Sequence, residues 1–168
     1  LNGRMLFGYR IQIGNKDLYE FLQAVGLTPN KSLTIGELKI PDGYFHDFLR
    51  GLIDGDGCMR RWLHPQNLKE QWSLRVYSGS KRFLTWLSAG IQEKWRIKGR
   101  IHKSSSSTFV LKYGKMAARV IVDKCYYQEC FGLDHKIRLA RQCSVSYRGW
   151  NKSPALIACA KLDYRASG

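Results

Sequence analysis

Leu49-Arg50-Gly51-Leu52-Ile53-Asp54-Gly55-Asp56-Gly57 is the stretch whose reading decides the fold. Asp42 can cap a helix from about Gly43 to Asp54, its carboxylate accepting from the unpaired amides of the first turn. Along that helix Phe48, Gly51, Leu52 and Gly55 share one face at spacings of three and four. A glycine inside a helix costs about 1 kcal/mol relative to alanine, so Gly51 and Gly55 need a reason. Close approach of a second helix backbone supplies one. A helix that simply ends at Gly55, with Gly51 tolerated, is the plainer alternative.

Beyond Gly57 the period changes from that of a helix to that of a strand. Cys58, Arg60, Trp62 and His64 alternate with Met59, Arg61 and Leu63, and Pro65, Gln66 and Asn67 make a turn. Trp72, Leu74 and Val76 then alternate with Ser73, Arg75 and Tyr77. This predicts a hairpin with one apolar and one polar face; Arg61 on the apolar side calls for a twist or a bulge. Helical spacing returns over Lys81 to Trp95, with Phe83, Leu84, Leu87, Ile91 and Trp95 inward. Arg100 to Lys103, a turn at Ser104 to Ser107, and Phe109 to Tyr113 form a second hairpin. Met116 to Tyr126 is helical again, on a stripe of Ala117, Val120, Ile121 and Cys125. The predicted class is α+β, in the order helix, two strands, helix, two strands, helix.

Outside this core domain, taken as 43–142, lie an N-terminal strand-helix-loop extension over 1–42 and a basic, aromatic extension over 143–168. In the first, Leu6 to Ile13 favours a strand and Lys16 to Val25 a helix with Leu18, Phe21, Leu22 and Val25 inward, stopped by Gly26. In the last, Tyr147, Arg148, Trp150 and Lys152 suit phosphate and groove contacts, and equally a packed tail.

The chain of 168 residues carries 28 Lys and Arg against 13 Asp and Glu, a net charge of +15. That balance points to a polyanionic partner and away from an ordinary enzyme of small metabolites. The cations are spread among apolar positions from Arg50 to Arg148, so a folded cationic face is expected. No long basic amphipathic helix addresses a membrane surface, and no apolar run reaches the roughly 20 residues of a bilayer span. With no secretory signal at the start, the expected setting is intracellular: bacterial or phage cytoplasm or an organelle matrix. Five cysteines, an odd number, argue against a disulfide framework. Cys125, Cys130, His135 and Cys143 lack the paired close spacings of zinc modules, which leaves reduced, partly buried thiols as the expectation.

Asp54 and Asp56 stand two apart at a helix end between glycines, placing carboxylates and exposed carbonyls where a hard cation could bind. Such an ion stabilises charge on a phosphate and lowers the pKa of bound water, which is what metal-assisted phosphodiester cleavage requires. A calcium loop of the EF-hand kind is excluded. Cys58 takes its third ligand position, Met59 its glycine and Pro65 its closing glutamate. A capped, solvated acidic helix end is the remaining alternative.

The nine residues from Leu49 to Gly57 resemble the signature of the LAGLIDADG homing endonucleases. The predicted element order resembles that family's αββαββα half, over about Tyr44 to Ala140. Leu133 to Ala140, Leu-Asp-His-Lys-Ile-Arg-Leu-Ala, is similar to the segment that often closes such domains. The resemblance implies a site-specific endonuclease of double-stranded DNA. It implies catalytic Mg²⁺ on Asp56 beside the Gly55 carbonyl, with Mn²⁺ or Ca²⁺ able to substitute in binding. Asp54 would be chiefly a cap and interface residue. Phe48, Gly51, Leu52 and Gly55 would pair with a second motif helix, and Arg50, where the signature has alanine, would have to point away from it.

In that family a saddle-shaped antiparallel sheet lays its polar face in the major groove. By resemblance the readers are Arg60, Trp62, His64, Arg75, Tyr77, Arg100, His102 and Lys112. Ser78 matches a polar position that orders water near the scissile phosphate, and Lys112 or Lys115 is the basic residue near that water. One signature supplies half an active site. Either two chains form a homodimer through the motif helix, or this is the C-terminal part of a two-motif protein, whose preceding repeat Tyr9 to Ser32 resembles at its end. A non-catalytic DNA-binding regulator and an RNA-splicing maturase on the same fold are the alternatives.

Overall fold

The computed structural model describes residues 12–29 and 33–146. Most of the expected Leu6 to Ile13 strand, and Tyr147, Arg148, Trp150 and Lys152, lie outside the described residues. Helix α1, Lys16–Ala24, opens on Asn15, whose side-chain oxygen accepts from the Leu18 amide at 2.7 Å. Gly26, at φ 102, ends it in a conformation that only glycine adopts freely. The inward stripe expected for α1 is not inward: Leu18 and Phe21 are exposed, and burial begins only past the helix, at Val25. The helix is anchored by its C-terminal end, where the Lys39 amide bonds the Val25 carbonyl and Leu38 enters the core.

Helix α2, Phe45–Asp56, follows a short 3₁₀ turn at Asp42–Tyr44. It starts later than expected and runs on to Asp56. Asp42 caps nothing with its side chain; its carboxylate pairs instead with Lys94 at 2.5 Å. Phe45, Leu49 and Ile53 bury the inner face. The chain then passes directly into strand β1, Gly57–Leu63. A Cβ on Gly57 would stand 2.5 Å from the Ile53 backbone, so only glycine permits so abrupt a junction.

Strand β2, Glu70–Ser78, helix α3, Lys81–Trp95, strands β3, Arg100–Lys103, and β4, Phe109–Gly114, and helices α4, Lys115–Cys125, and α5, Asp134–Val145, complete the order. From α2 to α4 this is the predicted αββαββα sequence, and the class is α+β. The four strands form one antiparallel sheet ordered β1-β2-β4-β3. Cross-strand rows such as Met59–Leu74–Tyr113 and Gly57–Val76–Leu111–Ile101 line one face. There they meet Leu49 and Ile53 of α2, Leu84, Leu87 and Ile91 of α3, and Ile121 of α4 in a single core.

Arg61 needs no bulge, because the β1–β2 register is continuous. Its guanidinium lies over the Trp72 ring at 5.9 Å and its Nε donates to Glu70 Oε1 at 2.7 Å, closing the end of the core. The α4 stripe is shifted by one residue from the expected one. Ala118, Ile121, Val122 and Cys125 are buried, while Val120 is exposed. The shift follows from α5 packing beside α4, which also turns Arg119 inward to bond the Ser144 carbonyl at 2.6 Å and that of Ser146. No helix among the described residues is long and apolar enough to cross a membrane.

Candidate metal-binding helix end and nucleic-acid face

The two acids of the signature have separate surroundings. Asp54 is tied into the protein: its Oδ1 accepts from the Tyr126 hydroxyl at 2.6 Å and its Oδ2 from the Leu133 amide at 3.1 Å. Burial and that bond to Asp54 push the Tyr126 hydroxyl's pKa up, so it stays a donor. Asp54 therefore does not cap its own helix; it fastens α2 to the loop that leads into α5. Asp56, the last residue of α2, is exposed, as is Gly55 before it. Of the two carboxylates, the one facing solvent is Asp56.

Lys136 of α5 reaches the same helix end. Its buried Nζ donates to the Ile53 carbonyl at 3.2 Å and to the Gly57 carbonyl. The last carbonyls of a helix lack intrahelical partners and carry partial negative charge, so a buried ammonium is well matched there. Sequence reading missed this residue. The available signal was a lysine on an otherwise buried helical stripe, Lys136, Ala140 and Cys143.

The outer face of α2 is open. A Cβ built on Gly51 or Gly55 meets nothing within 4 Å, so no packing within the described chain accounts for these glycines. Phe48 and Leu52 flank them, half-buried against the core. Arg50 points to α4: its guanidinium donates to the Cys125 carbonyl at 3.0 Å, pairs with Asp47 at 2.7 Å and lies 5.1 Å from the Tyr127 ring centre. Asp47 also accepts from the Tyr127 hydroxyl at 2.7 Å, and that bond, aided by Arg50 and His46, holds its pKa below the usual carboxylate value.

The second feature is the sheet face turned away from the helices. Side chains alternate along a strand, and the register puts Arg60 and Trp62 of β1, Arg75 and Tyr77 of β2, Lys112 of β4, and Arg100 and His102 of β3 on this face. The β1 strand enters it directly after Asp56, at Cys58. His64 is not brought onto the strand; it sits in the tight turn after β1, where its amide bonds the Lys69 carbonyl at 2.9 Å.

Of the other two candidates, Lys115 is placed away from Asp56, and Ser78, two residues beyond the Val76 that pairs with Gly57, stands at the Asp56 end of the sheet. Lys115 donates to the Glu70 carbonyl at 3.1 Å, and burial pushes its pKa down. Glu70 pairs with Leu63 at the opposite end of β1 from Gly57, some 20 Å away at roughly 3.3 Å per residue. Ser78 falls in register with Phe109 on the core side of β2, and its Oγ accepts from the Ser80 amide at 3.1 Å. Cys125 and Cys143 are buried thiols whose pKa burial raises to about 12. Among the described residues no three His, Cys, Asp or Glu gather as a metal site.

No family model matches the chain, and no curated protein matches it. Among solved structures it is similar to homing endonucleases. I-CvuI in complex with the I-CreI target gives a TM-score of 0.48 at 16% identity, over 61% of this chain and 65% of that one. I-TnaI gives 0.45 at 10% identity, over 70% and 96%. The LAGLIDADG meganuclease I-AabMI bound to uncleaved DNA gives 0.41 at 15% identity, over 69% and 48%. The chain thus spans just under two thirds of the length of I-CvuI.

Proposed function

We propose that this chain supplies half of a metal-dependent, site-specific endonuclease of double-stranded DNA, completed by a second motif helix. The observation that carries the reading is the junction at Gly57. There an exposed carboxylate ends α2 and the next residues begin a cationic sheet face. Asp56, with the Gly55 carbonyl beside it, offers hard oxygen donors suited to Mg²⁺. That ion, when bound, supplies charge stabilisation at the phosphate and an acidified water. Asp54 and Lys136 act as positioning residues, holding the helix end through Tyr126, Leu133 and the Ile53 and Gly57 carbonyls. Lys136 brings a cation to that end, and Lys112 stands in the sheet row of Cys58 and Arg75 that follows it. The uncovered Gly51–Gly55 face is where the second helix would lie, and Arg50 leaves it clear.

The test is cleavage of a plasmid library by the whole chain with Mg²⁺ or Ca²⁺, alongside Asp56→Asn. Cutting with Mg²⁺ that disappears in the variant while duplex binding persists supports the reading. Tight, specific binding without cutting by a verified dimer would transfer the protein to the non-catalytic regulators.

A further inference from the structure

The loop between α4 and α5 is fastened along one flank of α2. Asp47 accepts from the Tyr127 hydroxyl, Arg50 donates to the Cys125 carbonyl, and Asp54 accepts from the Tyr126 hydroxyl and the Leu133 amide. Spacings of three and four put these α2 residues on one side of the helix. A Cβ on Gly132 would stand 2.9 Å from Asp54 Oδ2, so the loop backbone lies hard against that carboxylate. Phe131, immediately before it, is thereby held at the level of Asp54 and Gly55, yet it is 92% exposed. Leu133 and Tyr127 of the same loop are exposed as well. Aromatic side chains that are held in place and left uncovered are what protein interfaces use as anchors.

We infer that Phe131 is a pairing anchor for a second copy of this chain, seated against the partner's Phe48, the partner's Leu52 and the partner's Trp86. The inference rests on the reading above, that a second motif helix completes the site. The open Gly51–Gly55 face is too small to hold two copies by itself. The twelve residues of α2 make a strip about 18 Å long and about 10 Å wide. That is roughly 180 Å², against roughly 800 Å² per partner in a stable interface. The surface on either side of α2 has to contribute. One side is the 127–133 loop. The other is Leu52 with Phe48, whose ring centre stands 6.0 Å from that of Trp86, all three half-buried. Symmetry decides which side meets which. Both copies of Asp56 have to lie at one end, so the two α2 helices run in the same direction and the two-fold axis runs along them. Rotation about that axis sets each loop against the partner's Phe48 side, twice over, and never against the partner's loop. The net charge of +15 on each chain opposes pairing, so the contact that offsets it is apolar.

Sedimentation of the whole chain without DNA, over a range of concentrations, tests this. Wild type should dimerise. Phe131→Ala should weaken dimerisation by at least about 30-fold, and Phe131→Leu should recover most of that loss. At concentrations where both are monomers, wild type and Phe131→Ala should share one urea midpoint, because an exposed ring contributes little within its own chain. Benzoylphenylalanine in place of Phe131, in a mixture of unlabelled and ¹⁵N-labelled chains, should cross-link from one chain to the α2 and α3 peptides of the other. Phe131→Ala pairing as tightly as wild type, or cross-links confined to one chain or to the partner's loop, overturns the anchor and leaves the half-site reading standing. Wild type that stays monomeric at every concentration overturns the second copy as the occupant of this face. A dimer with the expected cross-links that binds duplex DNA and never cuts it overturns the endonuclease reading and leaves the anchor standing.

Discussion

Lys136 places an ammonium on two carbonyls at the end of α2, with its side chain buried in the packing of α5. Lys136→Met keeps the length and apolar stem and removes the donor, leaving the Gly57 carbonyl without that partner. The expected loss is about 1–3 kcal/mol, read as a lower urea midpoint at unchanged m-value. Asp47 governs a different property. The Tyr127 hydroxyl, then Arg50 and His46, lower its folded pKa below the unfolded value, which is about 3.9. Its stabilisation is therefore complete above that unfolded value and is lost as pH falls through the folded one. Denaturation midpoints of wild type and Asp47→Asn should differ at pH 6 and converge as pH falls towards about 2. A gap that widens in acid would contradict the assignment. These partners were not legible in the sequence: Tyr127 lies 80 residues from Asp47 and Tyr126 lies 72 from Asp54, separations that only packing closes.

At the scale of elements, periodicity was enough to locate every helix and strand of the core. Each buries one face, and a buried face leaves a repeat in the sequence. Lys81–Trp95 and Arg100–Lys103 fall where expected to the residue. Where neighbours decide orientation, the pattern misled. Leu18 and Phe21 of α1 face solvent, and the α4 stripe moved by one residue because α5 covers a second side. Deleting a side chain at the centre tests the core: Leu74→Ala should cost about 2–5 kcal/mol in equilibrium unfolding. The α2 helix permits a sharper test, because its outer glycines are unopposed within the chain. Gly51→Ala should stabilise the isolated fold by about 1 kcal/mol through helix propensity. If a second helix packs on that face, the same substitution should weaken association, measured as solution mass against concentration.

For the whole molecule, the net charge of +15 and the cationic sheet face make the same demand. Affinity for duplex DNA should fall linearly with the logarithm of salt concentration, at a slope near −0.9 per phosphate contacted. An affinity flat from low to physiological salt would contradict a cationic docking face. The sequence by itself determined the α+β class, the element order, the identity of Asp56 as a helix-end carboxylate and the polar alternation of the strands. These are short-range properties, written in spacing and in the geometry of one helix and one hairpin. Tertiary structure alone decided that Asp54 is spent on Tyr126 and Leu133, that Lys136 and not Lys115 reaches the helix end, and that Arg75, Lys112 and Arg100 share a row. Those facts depend on register and on helix-to-helix packing, which join residues that no local period connects.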